Sequence, residues 1–214
     1  MLLPRPPTAV RYLNDAEWEI VTRVFTPQRL PYRMQILVTN GLGPNGAGMA
    51  VPAALIVTIG GGGVGSIGGG LLGGLFFGPI GAAIGAFLGA LNGALSGYLG
   101  SAGPQGYFLL LGPTGYAGMD KTAFLRRKLV HEVTHVWHGK ACWFAMSYIY
   151  ASLFTQFKAG IGGPYPYKPG AAWSSYNAEQ KASLVEDWYA AGESTASSDP
   201  RWRYIRDYVR KGIP

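Results

Sequence analysis

The spacing of hydrophobic residues along the chain predicts both helices and short strands. Apolar positions at helical spacing predict one helix over Asp15–Phe25 and another over Lys121–Gly139, with Asp120 as the expected N-cap and the final glycine as the expected end. Short apolar runs predict strands over Met34–Thr39 and Tyr107–Leu111. The second strand therefore leads directly into the second helix.

The last third of the chain is predicted to be helical. Cys142–Phe157 is apolar and aromatic, and Tyr176–Trp188 is amphipathic. Arg201–Lys211 has apolar and aromatic residues on one helical face and arginines on the other. Together with the two strands, these helices predict the α+β class: a mostly helical domain with a short β-sheet.

The middle of the chain carries no charge. Between Arg33 and Asp120 there is no Asp, Glu, Lys, Arg or His. Within this interval Ala53–Phe77 and Pro79–Leu99 are apolar, and each is near the roughly 20 residues that cross a hydrocarbon core. This pattern predicts a transmembrane helical hairpin.

Glycine is regularly spaced along the sequence of the second arm of this hairpin. It recurs every fourth residue, which leaves a smooth groove for close approach of another helix in lipid, as in a glycine zipper. We therefore expect self-association through this face. The alternative is a buried, soluble helical pair that packs through its glycines. The glycines of the pattern are Gly81, Gly85, Gly89, Gly93 and Gly97.

The two predicted strands suggest how the hairpin fits into the chain. If they pair, the apolar segment between them is an insertion, and the domain that contains it is discontinuous. We therefore predict a hairpin insertion over residues 51–103 and one domain built from residues 1–50 and 104–214.

The pattern H-E-x-x-H occurs once, from His131 through Glu132 to His135. On a helix, positions i and i+4 share a face, so both imidazoles can reach one metal ion, and Glu132 lies beside a water bound to it. The alternative is a helix that carries two histidines and a solvated glutamate by chance. The helical context of the motif favours a metal site.

A catalytic zinc usually has three protein ligands and one open position, so a third ligand is required. Glu179, Ser183 and Glu186 share one face of the predicted Tyr176–Trp188 helix. We expect Glu179 to be the ligand, with Glu186 as the alternative. Glu186, Asp187 or Ser183 would otherwise orient a ligating histidine from behind. These acids could also form a solvated face only.

The motif and the downstream Asn177-Ala178-Glu179 resemble the zincin metallopeptidases, in particular the glutamate-liganded branch that includes thermolysin. The longer pattern, Leu129–Trp137 followed downstream by Tyr176–Gln180, is similar to small predicted bacterial peptidases of unknown function. The resemblance covers roughly residues 120–210. In thermolysin-like enzymes an aspartate stands four residues after the glutamate ligand, and here that position is Ser183.

The resemblance implies Zn²⁺ as the cofactor and hydrolysis of a protein or peptide substrate. Zinc would lower the pKa of its bound water, and Glu132 would act as general base. The tetrahedral intermediate then needs a hydrogen-bond donor for its oxyanion. His138, three residues beyond His135, and Tyr176 are the candidates.

The net charge of +7 comes from scattered basic residues with no nucleic-acid recognition motif, so we expect no nucleic-acid partner. Basic residues flank the apolar segment on both sides, which favours attraction to anionic lipid. Met1–Val10 contains three prolines and no apolar core, so no classical signal peptide is predicted.

Two functions therefore remain open at this stage. The first is a membrane-associated bacterial zinc peptidase, delivered as an effector by a specialised secretion system. The second is a membrane-inserting, pore-forming toxin in which the hairpin is the active part and the metal site is structural or vestigial. In either case a chaperone that shields the hairpin is an expected partner in the producing cell.

Overall fold

The computed structural model describes residues 10–40, 49–52, 106–141 and 165–214. These residues form an α+β arrangement in which helices pack on a small mixed sheet. The strands are β1 (Val10–Tyr12), β2 (Ile36–Thr39), β3 (Met49–Pro52) and β4 (Tyr107–Leu110).

The sheet has the order β1-β2-β4-β3. The central pair, β2 and β4, is parallel, with Ile36 opposite Tyr107 and Thr39 opposite Leu110. The outer strands β1 and β3 each run antiparallel to their neighbours. Every residue of β2 and β4 is buried, as expected for strands covered on both faces.

Five helices accompany the sheet in the described part of the chain. They are α1 (Asp15–Val24), α2 (Gly112–Tyr116), α3 (Ala123–Ala141), α4 (Ala178–Ala190) and α5 (Trp202–Tyr204), which continues as a π-helical turn over Ile205–Val209. Short 3₁₀ turns lie at Pro27–Arg29, Arg33–Gln35 and Trp173–Ser175.

Helix α3 is at the centre of the packing. It contacts α4 most extensively, and it also packs against α1 and β3. Leu129, Val133 and Val136 of α3 share the hydrophobic core with Leu184 and Trp188 of α4, and all five are fully buried. The position of α4 relative to α3 is therefore fixed by a continuous apolar contact.

Most of the elements predicted from the sequence are confirmed. The two predicted strands exist as β2 and β4, and they pair directly. The predicted Asp15–Phe25 helix is α1, which ends one residue earlier. The Tyr176–Trp188 helix is α4, shifted two residues along the chain because Asn177 caps its N-terminus.

Both predicted ends of the metal-site helix are wrong. Thr122 caps α3 instead of Asp120, since its Oγ1 accepts the backbone N–H of Leu125 at 3.1 Å. Asp120 instead accepts a hydrogen bond from the Asn14 side chain at 3.0 Å. Gly139 is buried within α3, which extends to Ala141. Its packing outweighs the helix penalty of about 1 kcal/mol that glycine carries.

A buried glutamate ties the first helix to the segment before α3. Glu17 is fully buried, and Arg11 grips both of its carboxylate oxygens at 2.6 and 2.7 Å. The same carboxylate accepts the backbone N–H of Met119 at 2.8 Å. Because a buried charge must be paired, this junction fixes where the chain enters α3.

No helix in the described ranges is long and apolar enough to cross a membrane. The predicted hairpin at 51–103, with its glycine zipper, lies outside the described residues apart from Val51 and Pro52, the last two residues of β3. The predicted Cys142–Phe157 helix also lies outside them.

Candidate metal centre

The two histidines of the H-E-x-x-H motif lie one turn apart on α3, on the side that faces α4. Both are buried, His131 to 5% exposure and His135 to 6%. Their rings meet edge to face with centroids 5.0 Å apart. Because they project from the middle of a well-packed helix, their relative position is set by the helical backbone itself.

The third member of the cluster comes from the first turn of α4. Asn177 and Gln180 form a reciprocal capping box, with the Asn177 side chain accepting the Gln180 N–H at 2.8 Å. This cap fixes the start of the helix. Glu179 lies within that turn, is only 3% exposed, and points its carboxylate at the two imidazoles.

The donor atoms of these three residues form a nearly equilateral triangle. His131 Nε2 is 3.3 Å from His135 Nε2 and 3.3 Å from Glu179 Oε2. The third side, between His135 Nε2 and Glu179 Oε2, is 3.4 Å. The described residues thus bring together the ligand set expected from the sequence, and this set can hold a metal ion.

The triangle can be compared with the geometry of a tetrahedral site. Zinc with nitrogen and carboxylate ligands at about 2.0–2.1 Å gives ligand-to-ligand separations of roughly 3.3–3.4 Å. The three observed sides agree with that separation. Two imidazoles and one carboxylate also form a three-ligand set that leaves a fourth position open, as in catalytic zinc sites.

Glu186 supports His131 from behind. Its Oε2 lies 2.9 Å from His131 Nδ1, so Nδ1–H donates to the carboxylate and Nε2 faces the other two members of the cluster. Burial would raise the pKa of Glu186, but its hydrogen bond to His131 lowers it. Glu186 is therefore an orienting residue, and Glu179 is the ligand candidate.

The metal-free cluster holds a proton strongly. Burial by itself would lower the pKa of His131, but hydrogen bonds to Glu179 and Glu186 raise it to about 9. At neutral pH the imidazole is then a cation between two carboxylates. A bound metal ion would take the place of that positive charge.

Glu132 is buried beside the cluster, with 3% exposure. Burial raises the pKa of its carboxyl group, while the charges of His131 and His135 oppose that rise. A carboxylate with a raised pKa is a stronger proton acceptor than an ordinary one.

An open cleft of about 560 Å³ lies against the outer side of the cluster, on the side of His131 and Glu186. Its volume is in the range of small-ligand and substrate sites. Its lining combines aromatic and charged side chains. The residues are Arg127, Lys128, His131, Tyr165, Pro166, Tyr167, Ser183, Glu186 and Asp187.

Tyr165 is an aromatic residue of the cleft and lies beside His131. Its ring centroid is 6.1 Å from that of His131. Burial raises its pKa, and the charges of Glu179, Glu132 and Glu186 raise it further. The hydroxyl therefore stays protonated at neutral pH and can donate a hydrogen bond.

The backbone next to Tyr165 is fastened to α4. Gln180 Nε2 donates to the Pro166 carbonyl at 2.8 Å, and the Tyr167 hydroxyl donates to Asp187 Oδ2 at 3.0 Å. We call residues Tyr165–Tyr167 the cleft wall. Helix α4 thus supplies Glu179, orients His131 through Glu186, and fixes the cleft wall.

The remaining predicted site residues have other positions. Ser183 lines the cleft, and Asp187 contacts Arg127 and Tyr167 and not a histidine. The Tyr176 hydroxyl donates to the Lys168 carbonyl, within the aromatic cluster around Tyr204, so the structure does not bring it to the metal centre.

His138 is also separate from the cleft lining. It lies beside Trp137, with ring centroids 6.2 Å apart. Burial lowers the pKa of His138 to about 3, and the charges of Lys181 and His135 contribute to the shift. The ring is therefore neutral at physiological pH.

Sequence reasoning overlooked Arg127 and Tyr165. A signal existed for Arg127, because positions 127, 131 and 135 are spaced by four and share one face of α3. No comparable signal marked Tyr165, whose place depends on the contacts between the cleft wall and α4.

Comparison with models of known protein families, with curated proteins and with solved structures finds no match for this chain.

Proposed function

We propose that this chain is a zinc-dependent peptidase whose metal ligands are His131, His135 and Glu179. The proposal rests on the convergence of these three donor atoms, which lie 3.3–3.4 Å from one another and next to the buried Glu132. This is the arrangement that a helical H-E-x-x-H motif and a glutamate ligand require for metal-assisted hydrolysis. The zincin resemblance of the two motifs agrees with it.

When bound, zinc supplies a Lewis acid and activates a water molecule at neutral pH. The protein's own contribution is to hold three ligands in fixed geometry. Once His131 has lost its Nε2 proton, Glu186 would keep the remaining proton on Nδ1 and leave Nε2 available to the metal ion.

Glu132 is the proposed general base. It adjoins His131 in the sequence, and its carboxylate is buried beside the cluster. It would accept a proton from the attacking water and later deliver that proton to the leaving amine. Burial suits the base role, because it raises the pKa of the carboxyl and so strengthens the carboxylate as a proton acceptor.

Tyr165 is the proposed hydrogen-bond donor to the oxyanion that develops on the scissile carbonyl. It borders the cleft next to His131, and its hydroxyl remains protonated. Donors of this kind act most strongly where charge develops in the transition state. Tyr165 replaces Tyr176 and His138 in this role.

We propose that the substrate is a peptide that enters the open cleft beside His131. The cleft volume of about 560 Å³ and its aromatic and charged lining suit such a ligand.

The test begins with metal content. We expect about one zinc per chain in the wild-type protein and loss of zinc in His135→Ala and Glu179→Ala. Peptide-library digestion, read by mass spectrometry, should then show cleavage by wild type that falls by about 100-fold or more in Glu132→Gln.

Glu19→Gln is the matched control for the catalytic variant, because it makes the same change at an exposed position of α1. It should cleave like the wild type. A zinc-loaded wild type without cleavage, or a Glu132→Gln variant with wild-type activity, would refute the peptidase proposal.

A second candidate function rests on the charge-free run between Arg33 and Asp120. We propose that this segment associates with membranes, either to bring the peptidase to its substrate or to form pores by itself. Dye leakage from anionic liposomes separates the two. Leakage that persists in Glu132→Gln would favour the pore-former, and absence of any liposome binding would exclude membrane association.

A further inference from the structure

Arg127 is outside the ligand set, yet its side chain reaches the residues that support it. It lies one turn before His131 on α3 and borders the cleft. Its Nε donates to Glu186 Oε1 at 3.2 Å, and its Nη2 donates to Asp187 Oδ1 at 3.1 Å. One guanidinium therefore spans two successive carboxylates of α4.

The contact with Glu186 completes a chain of hydrogen bonds to the metal cluster. Glu186 uses its other oxygen, Oε2, to accept from His131 Nδ1 at 2.9 Å. Because Arg127 and His131 are on the same helix, a single turn of α3 grips both oxygens of the carboxylate. The planar, fixed fork of a guanidinium suits such a bridge, and a lysine ammonium does not.

The contact with Asp187 extends the same chain to the cleft wall. Asp187 uses its second oxygen to accept from the Tyr167 hydroxyl at 3.0 Å. The guanidinium of Arg127 is therefore bonded, through one carboxylate each, to a metal-ligand candidate and to the wall that carries Tyr165.

We propose that Arg127 is a positioning residue that holds Glu186 against His131 and thereby sets the affinity of the site for metal. This inference rests on the proposed metal centre. Arg127 touches none of the three donor atoms, and its effect on metal affinity is transmitted through Glu186.

The sign of the effect distinguishes positioning from simple electrostatics. Removing a positive charge near a cation site would tighten metal binding if the charge acted only through space. Loss of a positioning contact would weaken binding instead. A general structural role would lower thermal stability, but the Arg127 side chain is 43% exposed, and ion pairs of such side chains contribute little to folding.

The experiment is a double-mutant cycle with zinc as the probe. Zinc affinity is measured by chelator competition for wild type, Arg127→Ala, Glu186→Ala and the double variant. We expect Glu186→Ala to bind zinc roughly 10- to 100-fold more weakly and Arg127→Ala about 10-fold more weakly, as is typical of outer-shell partners. In the Glu186→Ala background, removal of Arg127 should cause no further loss.

Arg126→Ala is the matched control. Arg126 is the neighbouring arginine of α3, and it donates to the Asp120 carbonyl at 2.7 Å, away from α4. Its removal changes the charge equally and should leave zinc affinity unchanged or slightly tighter. Arg127→Lys keeps the charge without the fork, so it should resemble Arg127→Ala.

Two results would overturn the role of Arg127 without affecting the proposed metal centre. One is a wild-type zinc affinity in Arg127→Ala, and the other is that removing Arg127 weakens zinc binding as much in the Glu186→Ala background as in the wild type. If wild type itself binds no zinc, the metal centre fails together with the inference. No step of the cycle uses peptide cleavage, so an inactive but zinc-binding protein would refute the peptidase proposal and leave Arg127 in its role.

Discussion

Metal binding to this site should be strongly coupled to proton release. The test is to add zinc to the metal-free protein at a series of pH values between 6 and 9. His131 must give up its proton from Nε2 before that atom can bind a metal ion. Because Glu179 and Glu186 raise its pKa to about 9, the imidazole is still charged at neutral pH.

The magnitude follows from that pKa. At pH 7 the protonated form exceeds the neutral form by about 100 to 1, so zinc must displace about one proton from this residue. The apparent affinity should therefore rise about tenfold per pH unit from pH 7 and level off near pH 9. An unperturbed histidine, with a pKa of about 6.5, would level off more than two units lower.

Isothermal titration calorimetry in two buffers with different ionisation enthalpies counts the protons directly. Chelator competition across the pH series gives the slope of the affinity. His138→Gln is the control. Burial lowers the pKa of the His138 ring to about 3, so this ring is neutral throughout the pH series and releases no proton when zinc binds. Glu186→Gln should shift the plateau to lower pH, because one of the carboxylates that raise the pKa of His131 is removed.

A zinc affinity that is constant between pH 7 and 9 would refute this reasoning. So would release of far less than one proton per ion at pH 7. Either result would mean that His131 is neutral in the metal-free protein and that its two carboxylate contacts do not hold a proton.

Three further predictions concern stability and catalysis. The metal-free protein should lose stability as pH rises from about 6.5 to 9. Folding raises the pKa of His131 from 6.5 to about 9, so the protonated histidine stabilises the folded state at low pH, and this contribution is lost as pH rises through the folded-state pKa. A melting temperature that is constant or rises over this range would contradict the assignment to His131. Tyr165→Phe should lower kcat by about 100-fold while zinc content stays at the wild-type value, and steady-state kinetics with unchanged kcat would remove Tyr165 from the mechanism. Asn177→Ala should lower the free energy of unfolding in urea by about 1 kcal/mol, and it should also weaken zinc binding because Glu179 lies in the turn that Asn177 caps. Asn14→Ala, at the equivalent cap of α1, should lower the free energy of unfolding but leave zinc binding unchanged.

The chemistry of the centre could be predicted from local sequence because it depends on helical periodicity. His131 and His135 are one turn apart in any α-helix, and Glu132 must then adjoin them. The same periodicity placed Glu179 and Glu186 on one face of α4, and both contact His131, at Nε2 and Nδ1 respectively. Spacing along one helix is independent of the rest of the fold.

Local signals were less reliable at the helix ends. Asp120 and Gly139 both have the chemistry of helix boundaries, yet Asp120 bonds to Asn14 and Gly139 is buried inside α3. Capping energies of about 1 kcal/mol are small beside the packing of a whole helix against α1, α4 and the sheet. Tertiary contacts therefore chose between alternatives that the sequence left nearly equal.

Residue type and spacing identify the side chains that can bind a metal ion, but the packing of the helices selects which of them meet. His131 and Glu179 are separated by 48 positions, and only the packing of α3 on α4 brings their donor atoms to 3.3 Å. The same packing places Glu179 at the donor triangle and Glu186 behind His131, and it places Arg127 and the cleft wall around them. Helical periodicity fixes a residue's direction from its own axis, but the distance between two axes depends on side chains from the whole core.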